Sequence, residues 1–260
     1  MKLATFLPPG GGDALHGEVR DGRAIAFDDG STVLGRLASG DRAPAAGQDF
    51  ALDGVTLLAP HTPRAIFGIG LNYLAHAREQ GAEPPPAPIV FMKLPASAVA
   101  PGGPVRCPGV VKRLDYEGEL AVVMGAGGRV AGYAVADDVT ARDLQGRESQ
   151  WTRAKGADTF CPYGPWVTTT DEVADPEDLA LRTWVNGELR QDARTNDLIF
   201  SIPELVAFIS ETCSLTPGDL ILTGTPSGVG MAMDPPRFLQ PRDVVRIEIE
   251  TLGTIEHAIT

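Results

Sequence analysis

The chain has 260 residues, 43% apolar and 22% charged, with 30 glycines and 22 prolines. That composition excludes a mainly disordered chain, the absence of a Gly-X-Y period excludes collagen, and the Gly and Pro content predicts turns and short strands rather than long helices. A net charge of −12 argues against nucleic acid or an anionic membrane as the main partner, so a small anionic ligand needs a bound cation or a few placed Lys and Arg residues. No apolar run approaches the roughly 20 residues of a membrane-spanning helix. Met1–Pro9 is too short and too rich in proline for a secretory leader, so the cytoplasm is the expected location. Cys107, Cys161 and Cys213 lie far apart without a CxxC pair, which argues against a disulfide framework or a cysteine zinc site.

In chain order, residues 1–58 read as a small β-rich module. Gly17–Phe27 predicts two short strands around the turn Asp21-Gly22, Asp29-Gly30 is a second turn, and Asp41–Gln48 suits a surface loop. Pro60-His61-Thr62-Pro63 marks the expected boundary with a second unit, residues 59–260. There Arg64–Gly70 predicts a strand and Asn72–Gln80 a short helix. Gly81–Pro88 is too rich in proline for a helix. Further strands are expected at Ile89–Lys93, Glu117–Met124 and Tyr133–Ala136, and Thr140–Ala154 reads as the first longer helix. Thr183–Arg190 is a hairpin with Asn186-Gly187 at its turn. Ser201 and Glu204 form a capping box before a helix whose Leu205, Phe208, Ile209 and Thr212 follow a helical period, and Pro217-Gly218-Asp219 stops it. Asp219–Leu222 is a strand. Val244–Glu250 alternates, with Val245, Ile247 and Ile249 on one face. The fold class is therefore mainly β (α+β), without internal repeats.

The chemistry concentrates in a few places. In Asp115-Tyr116-Glu117-Gly118-Glu119-Leu120-Ala121-Val122-Val123-Met124 the strand period puts Glu117 and Glu119 on one face. Two neighbouring carboxylates repel unless neutralised, either by solvent on an exposed edge or by a bound cation. Tyr133–Ala136 runs into Asp137-Asp138, and one of these aspartates can complete an all-oxygen site for a hard cation such as Mg²⁺, Mn²⁺ or Ca²⁺. Asp138 reads equally as an N-cap for the following helix. His76 and Glu79, three apart on the short helix, suit either a general base held by a carboxylate or a solvated surface pair. Arg142 and Lys155 can hold a substrate carboxylate or stabilise an enolate, or be ordinary surface charge; Gln145 follows Arg142 by one turn. Thr223-Gly224-Thr225-Pro226-Ser227-Gly228 can bind an anion or be a plain turn. There is no P-loop and no GxSxG elbow, and Gly68-Ile69-Gly70 is a poor dinucleotide fingerprint.

Taken in order, these segments resemble the fumarylacetoacetate hydrolase family. The resemblance is carried by Gly70-Leu71-Asn72-Tyr73-Leu74-Ala75-His76-Ala77-Arg78-Glu79, by Asp115–Val123, by Gly132–Asp143, by Lys155 with Asp158-Thr159-Phe160-Cys161-Pro162, by Val185-Asn186-Gly187-Glu188 and by Leu222–Pro226. It covers about residues 60–260 and implies a mixed β-sandwich roll and a homodimer. It also implies one Mg²⁺ or Mn²⁺ per subunit held by Glu117, Glu119 and Asp138. The family's lid pair falls on His76 and Glu79, its site lysine on Lys155, and its pocket-lining positions on Arg142, Gln145 and Thr225. Asn72 stands where one branch has a further aspartate ligand. The implied activity starts from a small anionic 2-oxo acid, held through its carboxylate and 2-oxo oxygens and converted to an enolate. Hydrolysis of a carbon–carbon bond or decarboxylation of acylpyruvate- or oxaloacetate-like dicarboxylic acids is the leading expectation. Double-bond isomerisation of a 2-hydroxyhepta-2,4-diene-1,7-dioate type substrate in aromatic-acid catabolism is the alternative. A non-catalytic metal-stabilised binding protein and a nicotinamide dehydrogenase are the competing classes.

Overall fold

Short runs of Val, Ile and Leu, cut by Gly and Pro, form strands wherever a second apolar surface covers them. The computed structural model describes residues 1–260. The first strands are β1 Lys2–Leu7, β2 Leu15–Arg20, β3 Arg23–Ala26, β4 Asp49–Ala51, β5 Thr56–Leu57, β6 Ile66–Gly70 and β7 Ile89–Lys93. They are followed by β8 Ala98–Val99, β9 Leu114–Asp115, β10 Gly118–Met124, β11 Val130–Asp137, β12 Thr140–Ala141 and β13 Cys161–Thr169. The last are β14 Ala180–Val185, β15 Glu188–Arg194, β16 Leu220–Leu222, β17 Val244–Ile249 and β18 Gly253–Ala258. The helices are α1 Val33–Ser39, α2 Leu74–Glu79, α3 Arg142–Gln145, α4 Thr152–Lys155 and α5 Ile202–Ser210.

A 12-stranded sheet runs β4-β3-β2-β1-β13-β11-β10-β16-β6-β7, with β5 on β1 and β8 on β13. Only β16–β6 and β13–β8 within it are parallel. A 4-stranded antiparallel sheet, β15-β14-β17-β18, packs over the centre, and β9 pairs with β12. Central β10 is buried on both faces. Leu120 and Val122 cluster with Leu181, Val245 and Ile247 of the smaller sheet. Ala121 and Val123 cluster with Leu3, Val33, Leu37, Leu220 and Leu222. Each fully buried Leu or Val on this strand contributes about 1.5–3 kcal/mol, so the strand is held rigidly from two sides. No helix is long and apolar enough to cross a membrane.

Residues 1–58 extend the same sheet: β1 pairs with β13 through Lys2↔Thr168 and Leu3↔Val167. The expected helix over Thr140–Ala154 is not one helix. Thr140 and Ala141 pair as a strand with Asp115 and Leu114, Gly146 closes the single turn α3, and α4 begins only at Thr152. Extended pairing and a glycine interrupt the helical pattern there. The hairpin around Asn186-Gly187 and the Ser201–Glu204 capping box form as the sequence reads. Leu205 and Ile209 are buried in α5, whereas Phe208 lies on its exposed side.

Candidate active site

At the start of β10 the chain alternates across the sandwich. Gly118 faces the smaller sheet so closely that a Cβ would lie 2.3 Å from Thr183 Oγ1. Alternation sends Glu117 and Glu119 to the opposite face. β11 runs antiparallel beside them, with Glu119 opposite Ala136, and the Asp138 N–H donates to the Glu117 carbonyl at 2.9 Å. The Asp138 carboxylate therefore arrives next to both glutamates. One oxygen from each of the three buried side chains lies within 4.8 Å of the others. Asp137 points the other way: Oδ1 accepts the Glu117 N–H at 2.9 Å, and Oδ2 lies 3.0 Å from His257 Nε2. The N-cap reading of Asp138 does not hold, because α3 starts after Ala141 without a side-chain cap.

Cations surround this cluster. Lys155 Nζ donates to Glu117 Oε2 and Asp138 Oδ2, both at 2.6 Å, and Lys93 Nζ donates to Asp138 Oδ1 at 2.5 Å. Arg142 ion-pairs with Glu117 Oε1 at 2.6 Å, donates from Nε to Asp115 Oδ2 at 2.8 Å, and reaches Gln145 Oε1 at 3.0 Å. Asp115 is saturated by the backbone N–H groups of Gly230 and Met231. Burial by itself pushes the Glu117 carboxyl up, but the charges of Lys155 and Arg142 outweigh it and hold the group at about 2. Burial also lowers Lys155, yet Asp138 and Glu117 more than restore its charge. Glu119 has no cation of its own. Burial, then the charges of Asp138 and Glu117, push it well above the usual carboxylate range, while the Lys155 charge and then the Gly224 N–H at 2.8 Å only partly compensate. A buried acid in excess of its cations, in an all-oxygen donor set, fits a hard divalent cation such as Mg²⁺ or Mn²⁺.

Helix α2 borders the cluster, with His76 lining the same cavity as Glu117 and Glu119. His76 Nδ1 lies 3.0 Å from Glu79 Oε2, and the Gly228 N–H donates to Glu79 Oε1 at 2.8 Å. The Thr223–Gly228 loop is neither a plain turn nor an open anion site. Its amides at Gly224 and Gly228 hold the protein's own Glu119 and Glu79 carboxylates. Gly224 has φ +101°, and a Cβ there would lie 2.8 Å from Asn72 Cβ, so the loop before α2 and this loop touch directly. Asn72 spends its amide on this junction, donating to the carbonyls of Thr223 and Phe200 and accepting the Phe200 N–H. It faces away from ligand duty.

His76, Glu117, Glu119, Arg142, Gln145, Lys155 and Thr225 line one cavity of about 270 Å³. Asp138 lies beneath them against Lys155, and Glu79 stands behind His76. All nine residues singled out in the sequence thus meet at one place. Thr225 has a second duty, accepting from Gln191 Nε2 at 2.8 Å while donating to the Gly118 carbonyl at 3.1 Å. Sequence reasoning missed Lys93, Gln80, Gln191 and Trp151. Lys93 ends an apolar strand, where a lysine reads as an exit to solvent. Trp151 lines the cavity and stacks edge-on to Phe91 at 5.5 Å, with Lys155 Nζ 4.9 Å above the Phe91 ring.

A family model described as fumarylacetoacetate (FAA) hydrolase, C-terminal, matches residues 65–260. The chain belongs to the fumarylacetoacetate hydrolase family. Among family members it is 45% identical over 214 residues to the mitochondrial oxaloacetate tautomerase FAHD2A of Homo sapiens, covering 77% of this chain and 68% of that protein. Fumarylacetoacetate hydrolase from Exiguobacterium antarcticum superposes with a TM-score of 0.90 at 34% identity, over 100% of this chain and 99% of that one. The 2-hydroxyhepta-2,4-diene-1,7-dioate isomerase from Mycobacterium marinum gives 0.83 at 36% identity, over 100% and 98%. The family is one of enzymes, and its neighbours include hydrolases, isomerases and oxaloacetate tautomerases.

Proposed function

We propose that this protein is a divalent-cation-dependent enzyme that forms and uses the enolate of a small anionic 2-oxo acid, with oxaloacetate-like dicarboxylates as the first substrates to consider. The observation that carries this is the convergence of Glu117, Glu119 and Asp138 at one cavity with Lys155 and the His76–Glu79 pair. Glu117, Glu119 and Asp138 would hold the Mg²⁺ or Mn²⁺, which when bound supplies Lewis acidity and positive charge for the developing enolate. Lys155 and Arg142 orient the substrate carboxylate and offset its charge. Glu79 fixes the His76 tautomer, so that the far imidazole nitrogen is the proton carrier. Returning that proton to another atom gives tautomerisation or double-bond isomerisation. Loss of CO₂ gives decarboxylation. If His76 activates a water instead, the same arrangement hydrolyses a carbon–carbon bond. The relatives named for tautomerase activity favour proton transfer as the leading step; the likeness to a fumarylacetoacetate hydrolase favours hydrolysis as the second reading.

The test is a panel of oxaloacetate, acylpyruvates and unsaturated 2-hydroxy diacids with Mg²⁺ and Mn²⁺, the products being followed by NMR. Turnover of at least one class is expected, lost in EDTA and lowered at least 10²-fold in Glu119→Gln, which removes one ligand charge. Undiminished activity in EDTA would overturn the metal-dependent reading. We further propose a cytoplasmic homodimer. Support comes from the free cysteines and from edge strand β7, whose Val90 and Met92 are exposed beside Leu94. Light scattering at micromolar concentration checks the dimer.

A further inference from the structure

His76 holds two partners, not one. Glu79 Oε2 lies 3.0 Å from Nδ1, and Gln80 Nε2 lies 2.8 Å from Nε2. The carboxylate can only accept, so Nδ1 carries the ring hydrogen and Nε2 presents a bare lone pair. An amide N–H of Gln80 is the group that fills it. Gln80 is exposed at the rim of the site, but its backbone is fixed. Its own N–H donates to the His76 carbonyl at 3.1 Å, and Gly81 and Ala82 turn back onto Arg78 and Ala77 at 3.0 and 2.9 Å. Gly81 takes φ +65°, the left-handed geometry of a helix end, which fixes where residue 80 projects. That projection lies in the cavity, beside His76, Glu117 and Lys155. His76 is 4% exposed, so bulk water has little access to the same nitrogen.

We propose that Gln80 is a positioning residue that caps the basic nitrogen of His76, so that a ligand entering the cavity must displace the Gln80 amide before His76 can take a proton. The inference rests on His76 being the proton carrier proposed above, and it adds a gate to that role. While the cap is in place, the lone pair is held in the imidazole plane, aimed into the cavity, and withheld from water. A bound 2-oxo acid offers the Gln80 amide its own oxygens in exchange, which couples release of the base to occupancy of the site. Gln80 then turns from capping the base to binding the ligand.

The test reads His76 directly and needs no substrate. Diethyl pyrocarbonate acylates an unprotonated imidazole nitrogen, and peptide mapping by mass spectrometry reports each histidine separately. In the Mn²⁺-loaded protein, Gln80→Leu is expected to raise the His76 modification rate about fivefold, the equivalent of about one net hydrogen bond, while His16 reacts at its wild-type rate. Gln80→Asn, too short to reach, should behave as Gln80→Leu. The His76 Nε2 resonance in a ¹⁵N-labelled sample should also shift on substitution, with the Nδ1–H tautomer retained. Unchanged His76 reactivity in both variants, with melting temperatures like wild type, overturns the cap. If Gln80→Leu melts early, Gln80→Asn and the wild-type resonance decide instead: a wild-type Nε2 signal typical of an unbonded lone pair also overturns it. Faster acylation without turnover of any 2-oxo acid leaves the cap standing and removes the proposed function. Turnover with unchanged acylation does the reverse.

Discussion

Lys93 and Lys155 grip the Asp138 carboxylate from two sides, at 2.5 and 2.6 Å, with every group almost fully buried. Such a pair is costly to break, because removing one partner leaves a charge in a medium that cannot solvate it. Lys93→Met is therefore expected to destabilise the metal-free protein by about 3 kcal/mol in urea unfolding. Saturating Mn²⁺ should recover part of that loss, since a dication also neutralises Asp138. An equal loss with and without metal would show that Lys93 serves packing alone. The acids of this site were readable from the chain because the strand period forces Glu117 and Glu119 together. The lysine was not, because Ile89-Val90-Phe91-Met92-Lys93 exposes Val90 and Met92 and hides the charged residue, the reverse of the ordinary pattern.

Among the elements, β10 carries the site, and its geometry depends on the missing side chain at Gly118. A methyl group there meets Thr183 Oγ1 at 2.3 Å and Gln191 Oε1 and Ile247 Cγ2 at 3.2 Å each. Thr183 is a short β-branched residue on β14 and cannot swing clear. Gly118→Ala should cost about 2–3 kcal/mol by forcing the two sheets apart. It should also weaken Mn²⁺ binding measurably by calorimetry, because Glu117 and Glu119 flank the displaced residue. Wild-type metal affinity in a destabilised variant would separate the strand's packing from the site's geometry. Elements with strong local chemistry, such as the Asn186-Gly187 hairpin, the capped helix α5 and alternating β17, were legible in the chain. Others were not. β13 contains Pro162 and Pro165, which argue against a central strand; α1 is two turns long and contains Gly35; β1 joins the centre of the sheet only by pairing with residues about 165 positions away. The helix expected over Thr140–Ala154 failed for the same kind of reason, since pairing with β9 is a tertiary event.

For the whole molecule, a net charge of −12 and a core site with one acid too many point to the same linkage. The Glu119 carboxyl in the metal-free fold lies well above its ordinary value of 4.5, first through burial and then through Asp138 and Glu117. The protonated form is therefore favoured by folding. Its stabilisation is fully present below the unfolded value and is lost as pH rises from there through the raised folded value. A bound dication needs the ionised form, so binding must expel that proton wherever the metal-free group still carries it, and the apparent affinity rises with pH across the same window. Two measurements follow. Calorimetric titration with Mn²⁺ in buffers of different ionisation enthalpy should report net proton release, which Glu119→Gln abolishes. At a hundred times the dissociation constant the metal contributes about 2.7 kcal/mol, which for a chain of this size corresponds to a melting shift of about 5–10 °C. At a fixed metal concentration that shift should grow as pH rises above the ordinary carboxylate value towards the raised one. If the shift instead shrank with rising pH, or the titration showed no buffer dependence, Glu119 would already be ionised in the empty fold, and the surplus negative charge of the site would stand unneutralised until the dication binds.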